Sequence, residues 1–215
     1  MSKTSKNSAE SKTARDRTIE IIAVLMLGVA TVGSAWCGYQ ATRWNGEQAR
    51  LTHVSTDSRV EASRLFSLAT QTVAYDTNMV AQYAQAVVAK NEQLMAFYRA
   101  SLIRPGFIEI LDQWEAQVAA GTLPTNLLDD KAYLDSQFSS YRAAEATAEQ
   151  ATSAGEEAGK NSDAFVLTTL LLAIGLFFAG VTSSFRFPTA RLLLVAASAV
   201  TLAVAAARLV DLPIV

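Results

Sequence analysis

Apolar residues crowd into three stretches of this chain: residues 21–37, 164–181 and 192–210. Each is about as long as a helix needs to cross a ~30 Å hydrocarbon core. None contains Lys, Asp or Glu, and Arg208, near the end of the third, is their one cation. The pattern predicts three transmembrane helices. Between the first two the apolar positions are spaced rather than continuous. Phe66, Val73, Val80, Val87 and Leu94 recur every seven residues, with Tyr83 and Phe97 in companion positions that Asp76 and Lys90 interrupt. A seven-residue repeat marks a helix seam, and an imperfect one suits an antiparallel bundle better than a parallel coiled coil.

The breakers fall between these segments. All four prolines, Pro105, Pro124, Pro188 and Pro213, sit at expected joints, because proline removes a donor and clashes with the preceding turn. Residues 41–103 lack proline and are rich in good helix formers. They read as one helix continuing the first span, or as two broken near Asp76-Thr77-Asn78. Arg104-Pro105-Gly106 reads as a turn. Phe107, Leu111, Trp114 and Val118 then lie on one face of a short helix, capped at its C-terminus by Gly121. Thr125-Asn126 is expected to start the next helix, with Asp129 and Asp130 favourably placed in its first turn. Leu134, Phe138, Tyr141, Ala144, Ala148 and Ala151 mark one face of that helix, which should run directly into the second span.

The fold class expected is therefore all-α: an integral membrane protein with three transmembrane helices and an extracytoplasmic helical hairpin or bundle. Residues 1–17, polar and poor in apolar groups, form a disordered cytoplasmic tail in this reading. Spans occupy 18–40, 163–183 and 192–210. A helical domain fills 41–162, a cytoplasmic loop 184–191 and a short outer C-terminus 211–215.

Charge sets the orientation. The first 41 residues carry Lys3, Lys6, Lys12, Arg15 and Arg17, whereas residues 42–162 carry ten basic and fifteen acidic side chains. Lys and Arg beside a span stay cytoplasmic. Arg186 and Arg191, between the second and third spans, independently predict the same N-in, C-out arrangement. The N-terminal segment could also be a cleaved signal peptide, with small residues at Gly33-Ser34-Ala35. The apolar run, however, continues to Cys37 and into helix-favouring sequence, so retention as an anchor is expected. The single cysteine, Cys37, cannot form an internal disulfide.

Small residues recur on the span helices. Ala30, Ser34 and Gly38 are spaced by four in the first, and Ala151, Gly155 and Gly159 approach the second, which carries Gly175 and Ala179. The third has Ala196, Ala199, Ala203 and Ala207. Such spacing lets helix backbones approach closely where lipid is as apolar as leucine.

Catalytic chemistry is not signalled. His53 is the only histidine and Cys37 the only cysteine, so neither a zinc site nor a hydrolytic triad is expected. Asp129/Asp130 and Glu156/Glu157 are adjacent pairs, which point in different directions on a helix. No phosphate-cradling glycine motif occurs, and the acidic middle disfavours nucleic acid. No cofactor is implied. The span cores lack ionisable groups of the kind that mark ion pathways, so a channel would need an oligomer.

The most distinctive local sequence joins the first span to the outer helix. Trp36, Tyr39, Gln40, Arg43, Trp44 and Glu47 are read as an interface collar, with an Arg43–Glu47–Arg50 charge ladder at helical spacing. The stretch Tyr-Gln-Ala-x-Arg-Trp-x-Gly-Glu-Gln-Ala, residues 39–49, is similar to one in uncharacterised bacterial membrane proteins. Those have one N-terminal span, a long helical extracytoplasmic segment and a C-terminal pair of spans. The resemblance implies this topology, a bacterial cytoplasmic membrane and no catalytic residues. The expected function is non-enzymatic: scaffolding or interaction through the outer helices, in a homo-oligomer or with a membrane protein partner, in contact with the lipid bilayer. The alternatives are a small oligomeric channel and a ligand sensor lacking its own output domain; in the latter the outer helices resemble chemoreceptor ligand domains.

Overall fold

A computed structural model describes residues 3–122, 126–185 and 187–215. Met1, Ser2, Leu123, Pro124, Thr125 and Arg186 lie outside the described residues, and with them part of the expected tail, the expected Thr125 helix start and one of the two cations of the 184–191 loop. Among the described residues 92% are helical and none is in a strand. The principal helices are α1 (Lys3–Val88), α2 (Glu92–Phe97), α3 (Ile108–Ala119), α4 (Lys131–Val181) and α5 (Pro188–Asp211). α1, α4 and α5 each contain a stretch long and apolar enough to cross a membrane.

The helix ends follow local chemistry. α1 begins at Lys3, so the segment expected to be disordered is, from Lys3 on, helix continuous with the first apolar stretch. Lys, Ala, Glu and Arg are good helix formers, and extending an existing helix avoids the nucleation cost. α1 also runs unbroken through Asp76-Thr77-Asn78, and ends at Val88 instead. There the Lys90 N–H donates to Val87 O and the Asn91 N–H to Ala86 O, both at 3.0 Å. This is the paired closure that usually takes glycine. Lys90 adopts it at φ 51°, and Asn91 at once caps α2 by accepting from the Leu94 N–H at 3.0 Å. A left-handed non-glycine residue costs about 1 kcal/mol. Lys90→Gly should therefore stabilise the chain by about 1 kcal/mol, read as a raised unfolding midpoint.

Gly121 closes α3 in the same way at φ 74°, as its sequence position suggests. Pro105–Phe107 forms the expected turn as one turn of 3₁₀ helix before α3. The start of α4 differs from expectation. Asn126 Oδ1 accepts from the Leu128 N–H, a 3₁₀ turn spans Leu127–Asp129, and Asp130 Oδ1 caps α4 by accepting from the Tyr133 N–H at 3.0 Å. The acid read as first-turn charge is itself the cap.

The chain divides into two compact units, Met1–Thr52 with Thr152–Val215, and His53–Ala151. In the first, α1 and α4 run antiparallel. Gly33 lies against Leu172, Ser162 Oγ donates to Ala41 O at 3.0 Å, and Gly155 lies against Leu51. Ala30, Cys37, Ala41, Phe165, Leu172 and Ala205 form its buried core.

In the second unit the seam on α1 is displaced from the expected one. Ser55, Ala62, Ala69, Asp76 and Tyr83 are buried at intervals of seven. Val73 is buried beside them and Val80 and Val87 are half-buried, but Phe66 and Leu94 are exposed. Ser55, Ala62 and Ala69 are small and admit a close neighbour along that part of the seam, while Phe66 flanks it and packs its ring on Phe138 and Tyr141. Val73, Tyr83, Ile103, Phe107, Leu111 and Tyr133 form the core of this unit.

Candidate functional site

Asp76, which the apolar pattern marks as an interruption, sits at the centre of the second unit. It is 1% exposed. A buried carboxylate is tolerated only when paired and hydrogen-bonded, and Asp76 is both. Arg104, in the turn before Pro105, donates from Nε to Oδ1 at 2.9 Å and from Nη2 to Oδ2. Tyr133, in the first turn of α4, donates its hydroxyl to Oδ2 at 2.6 Å. Arg104 Nη2 also reaches Gln137 Oε1 at 3.5 Å. One carboxylate thus ties together α1, the turn before α3, and α4. Burial, and then the Asp76 carboxylate, raise the Tyr133 phenol above its ordinary value; the hydrogen bond to Asp76 raises Arg104.

A second polar cluster joins α1 to α3. The Tyr83 hydroxyl donates to Glu115, and Arg99 binds Glu115 Oε1 at 3.0 Å and also Asp112. Burial, then Glu115, push the Tyr83 phenol up.

Beside the Asp76 network lies a cavity of 320 Å³. Val80, Phe107, Ile110, Leu111 and Trp114 supply its apolar wall, and Thr77, Gln113, Gln117, Asn126 and Asp130 its polar groups. Phe107 belongs to both features, since its ring meets Tyr133 edge-on at 5.6 Å. The expected amphipathic face of α3 explains this. Phe107 and Leu111 enter the core, Trp114 is half-buried at the cavity, and Val118 is exposed. Among the described residues no group of three His, Cys, Asp or Glu side chains could hold a metal ion.

The predicted packing residues separate by environment. Ala30, Ala151, Gly155, Gly175 and Ala179 are buried, Gly159 is half-buried, and Ser34 is half-buried with its hydroxyl oxygen enclosed. A Cβ on Gly175 would come within 3.0 Å of Leu202 Cδ2 and 3.1 Å of Thr201 Oγ1; on Gly155, within 3.4 Å of Leu51 Cβ. Gly38 is different: it is exposed, and an added Cβ would meet nothing within 4 Å. The inward column of α1 passes through Cys37 and Ala41 instead. On α5 the expected alanine face, Ala196, Ala199, Ala203 and Ala207, is exposed. Ser198 and Ala205 face α4, with Ser198 Oγ donating to Gly175 O at 2.8 Å.

The expected collar splits into two faces. Trp36 and Tyr39 are exposed, their ring centroids 6.0 Å apart. Gln40 and Trp44, one turn apart, face inward and receive residues 212–215. Trp44 Nε1 donates to Pro213 O at 3.0 Å and the Val215 N–H donates to Gln40 Oε1 at 3.4 Å. Gln40 Nε2 is buried without a partner among the described residues. Of the Arg43–Glu47–Arg50 ladder only one rung forms, Arg50 to Glu47 at 2.6 Å, while Arg43 is exposed. Arg50 holds the Glu47 carboxyl below its usual range. The pair is solvent-accessible, where such bridges contribute little to stability.

Asp76, Arg104 and Tyr133 were not legible as a site in the sequence; an acid at a seam position was the one available signal. Comparison with protein-family models, curated proteins and solved structures finds no match.

Proposed function

We propose that this chain is a three-span protein of a bacterial cytoplasmic membrane, N-terminus in and C-terminus out, that presents its His53–Ala151 unit outside as a non-enzymatic interaction module. The observation that carries the reading is uncovered apolar surface. Only 11%, 28% and 11% of the most apolar windows of α1, α4 and α5 are buried within the protein. Ile21, Val24, Leu25, Val29 and Val32 of α1 are all exposed. Monomeric soluble proteins rarely expose contiguous apolar patches of this kind, whereas lipid tails would cover them. Helices are also the one open-ended structure that satisfies its own backbone in lipid.

The basic residues before residue 18 support the orientation, and the resemblance read from the sequence of residues 39–49 is the ground for the proposed bacterial source. The interaction role rests on exposed apolar side chains of the outer unit, among them Phe66, Leu68 and Phe97. Its expected partner is a second copy or another membrane protein. Photo-crosslinkers placed at Leu68 and Phe97 in cells test this: intermolecular adducts at either position are expected, and monomer alone at both would overturn the interaction role. Alkaline extraction tests membrane residence separately. The chain should stay with the membranes and be released by detergent.

A further inference from the structure

The cavity beside Phe107 has the build of a binding site, and nothing in the interaction reading uses it. Its 320 Å³ lies at the lower end of the ~300–1,000 Å³ typical of small-molecule pockets. Its composition is also of that kind, with an apolar wall and a few polar groups. We propose that this cavity binds a small organic amine: a ring-sized apolar body carrying a cationic nitrogen.

Three features select that chemistry. First, among the described residues the lining contains one charged side chain, Asp130, and no Lys or Arg. Lys131 follows Asp130 in the sequence but does not line the cavity. Asp130 Oδ1 is engaged with the Tyr133 N–H, which leaves the carboxylate's second oxygen for an ammonium donor. An anion would meet this carboxylate with no Lys or Arg among the described lining residues to offset it, and Asp130 already answers the positive end of the α4 dipole. Second, half-buried Trp114 lines the cavity, and an indole is the best aromatic partner for a cation, while Val80 and Leu111 complete a wall for the apolar body. Third, the polar rim can accept as well as donate. Thr77 Oγ1 donates to Val73 O at 2.8 Å and keeps acceptor capacity; Gln113 and Asn126 add amides. The cavity is also backed by a fixed structure, because Phe107 packs on the tyrosine that holds Asp76. Such preorganisation limits the ordering cost of binding.

The test uses the full chain in lipid nanodiscs, labelled with 5-fluorotryptophan. Its three tryptophans, Trp36, Trp44 and Trp114, give separate fluorine signals, assigned by single Trp→Phe variants. The probes share one ring: 2-phenylethylamine, 2-phenylacetamide and phenylacetate. The amine should move the Trp114 signal saturably and leave the other two in place. Its Kd should be about tenfold lower than that of phenylacetate, from one partly exposed ion pair together with one cation–π contact. Asp130→Asn keeps the helix cap, since Asn and Asp cap equally well, and should weaken amine binding about fivefold while leaving the amide unchanged. Ala81→Phe, at an exposed lining position, should abolish the Trp114 shift for all three probes. No Trp114 shift up to the solubility limit would overturn the proposal, as would phenylacetate binding as tightly as the amine, or equal shifts at all three tryptophans. None of these outcomes bears on the crosslinking expected above, so the two readings fail separately.

Discussion

Arg104→Ala is expected to destabilise the His53–Ala151 unit by about 3–5 kcal/mol, the cost of stranding one member of a buried ion pair. Asp76, 1% exposed, would lose both guanidinium hydrogen bonds and keep the one from the Tyr133 hydroxyl, at 2.6 Å. The reverse substitution should be milder. The Arg104 side chain is 39% exposed against 1% for Asp76, so in Asp76→Ala the guanidinium can turn to solvent. That variant should cost about 2–3 kcal/mol, close to the loss of hydrogen bonds to a charged group. Tyr133→Phe, which removes one such bond, should cost about 1.5 kcal/mol. Replacing both partners with apolar residues, Asp76→Leu with Arg104→Met, should recover much of the Arg104→Ala loss. Chemical unfolding, with amide exchange over residues 103–112 and 131–138, gives these values. Equal costs for Arg104→Ala and Asp76→Ala would contradict the burial asymmetry on which the ordering rests.

Gly175→Leu is expected to disrupt the packing of α4 on α5, at a cost of about 1–3 kcal/mol typical of overpacking, with part of the protein lost to aggregation in detergent. Its Cβ alone would already crowd Leu202 and Thr201, and Ser198 donates to the Gly175 carbonyl across the same contact. Gly155→Leu should be similarly costly, because the leucine would be driven past Leu51 Cβ, 3.4 Å from an added Cβ. Gly159→Ala should be tolerated better: its clash, 2.7 Å, is with Gln48 Nε2, the far end of a flexible side chain. Gly38→Leu should cost nothing, since its surroundings are open. Thermal stability of the four variants in one detergent checks the order. A Gly38→Leu defect as large as that of Gly175→Leu would show that an unseen partner covers the outer face of α1.

The contrast among these glycines illustrates what a linear pattern holds. Apolar runs of sufficient length announce helices whatever they pack against, and the caps at Gly121 and Pro105 are written in neighbouring residues. Which face of an apolar helix turns inward is not local. Gly38 and Gly155 look alike in the chain, yet α1 turns Cys37 and Ala41 inward and leaves Gly38 out. The same limit hid the Asp76 network. Its partners lie 28 and 57 residues away, so helical spacing could present Asp76 only as a flaw in an apolar column. Likewise Gln40 and Trp44 receive residues from the other end of the sequence, whereas their neighbours Trp36 and Tyr39 are exposed. The Arg43 rung failed because helical spacing permits a pair without requiring it.

Two engineered cysteines test the proposed arrangement in the membrane most directly. In a Cys37→Ala background, Asp57→Cys and Phe187→Cys each place a thiol at an exposed position, to be probed with an impermeant maleimide on intact spheroplasts. Residue 57 should label at once and residue 187 only after the membrane is opened. Labelling of residue 187 in intact spheroplasts, with residue 57 protected, would contradict the account.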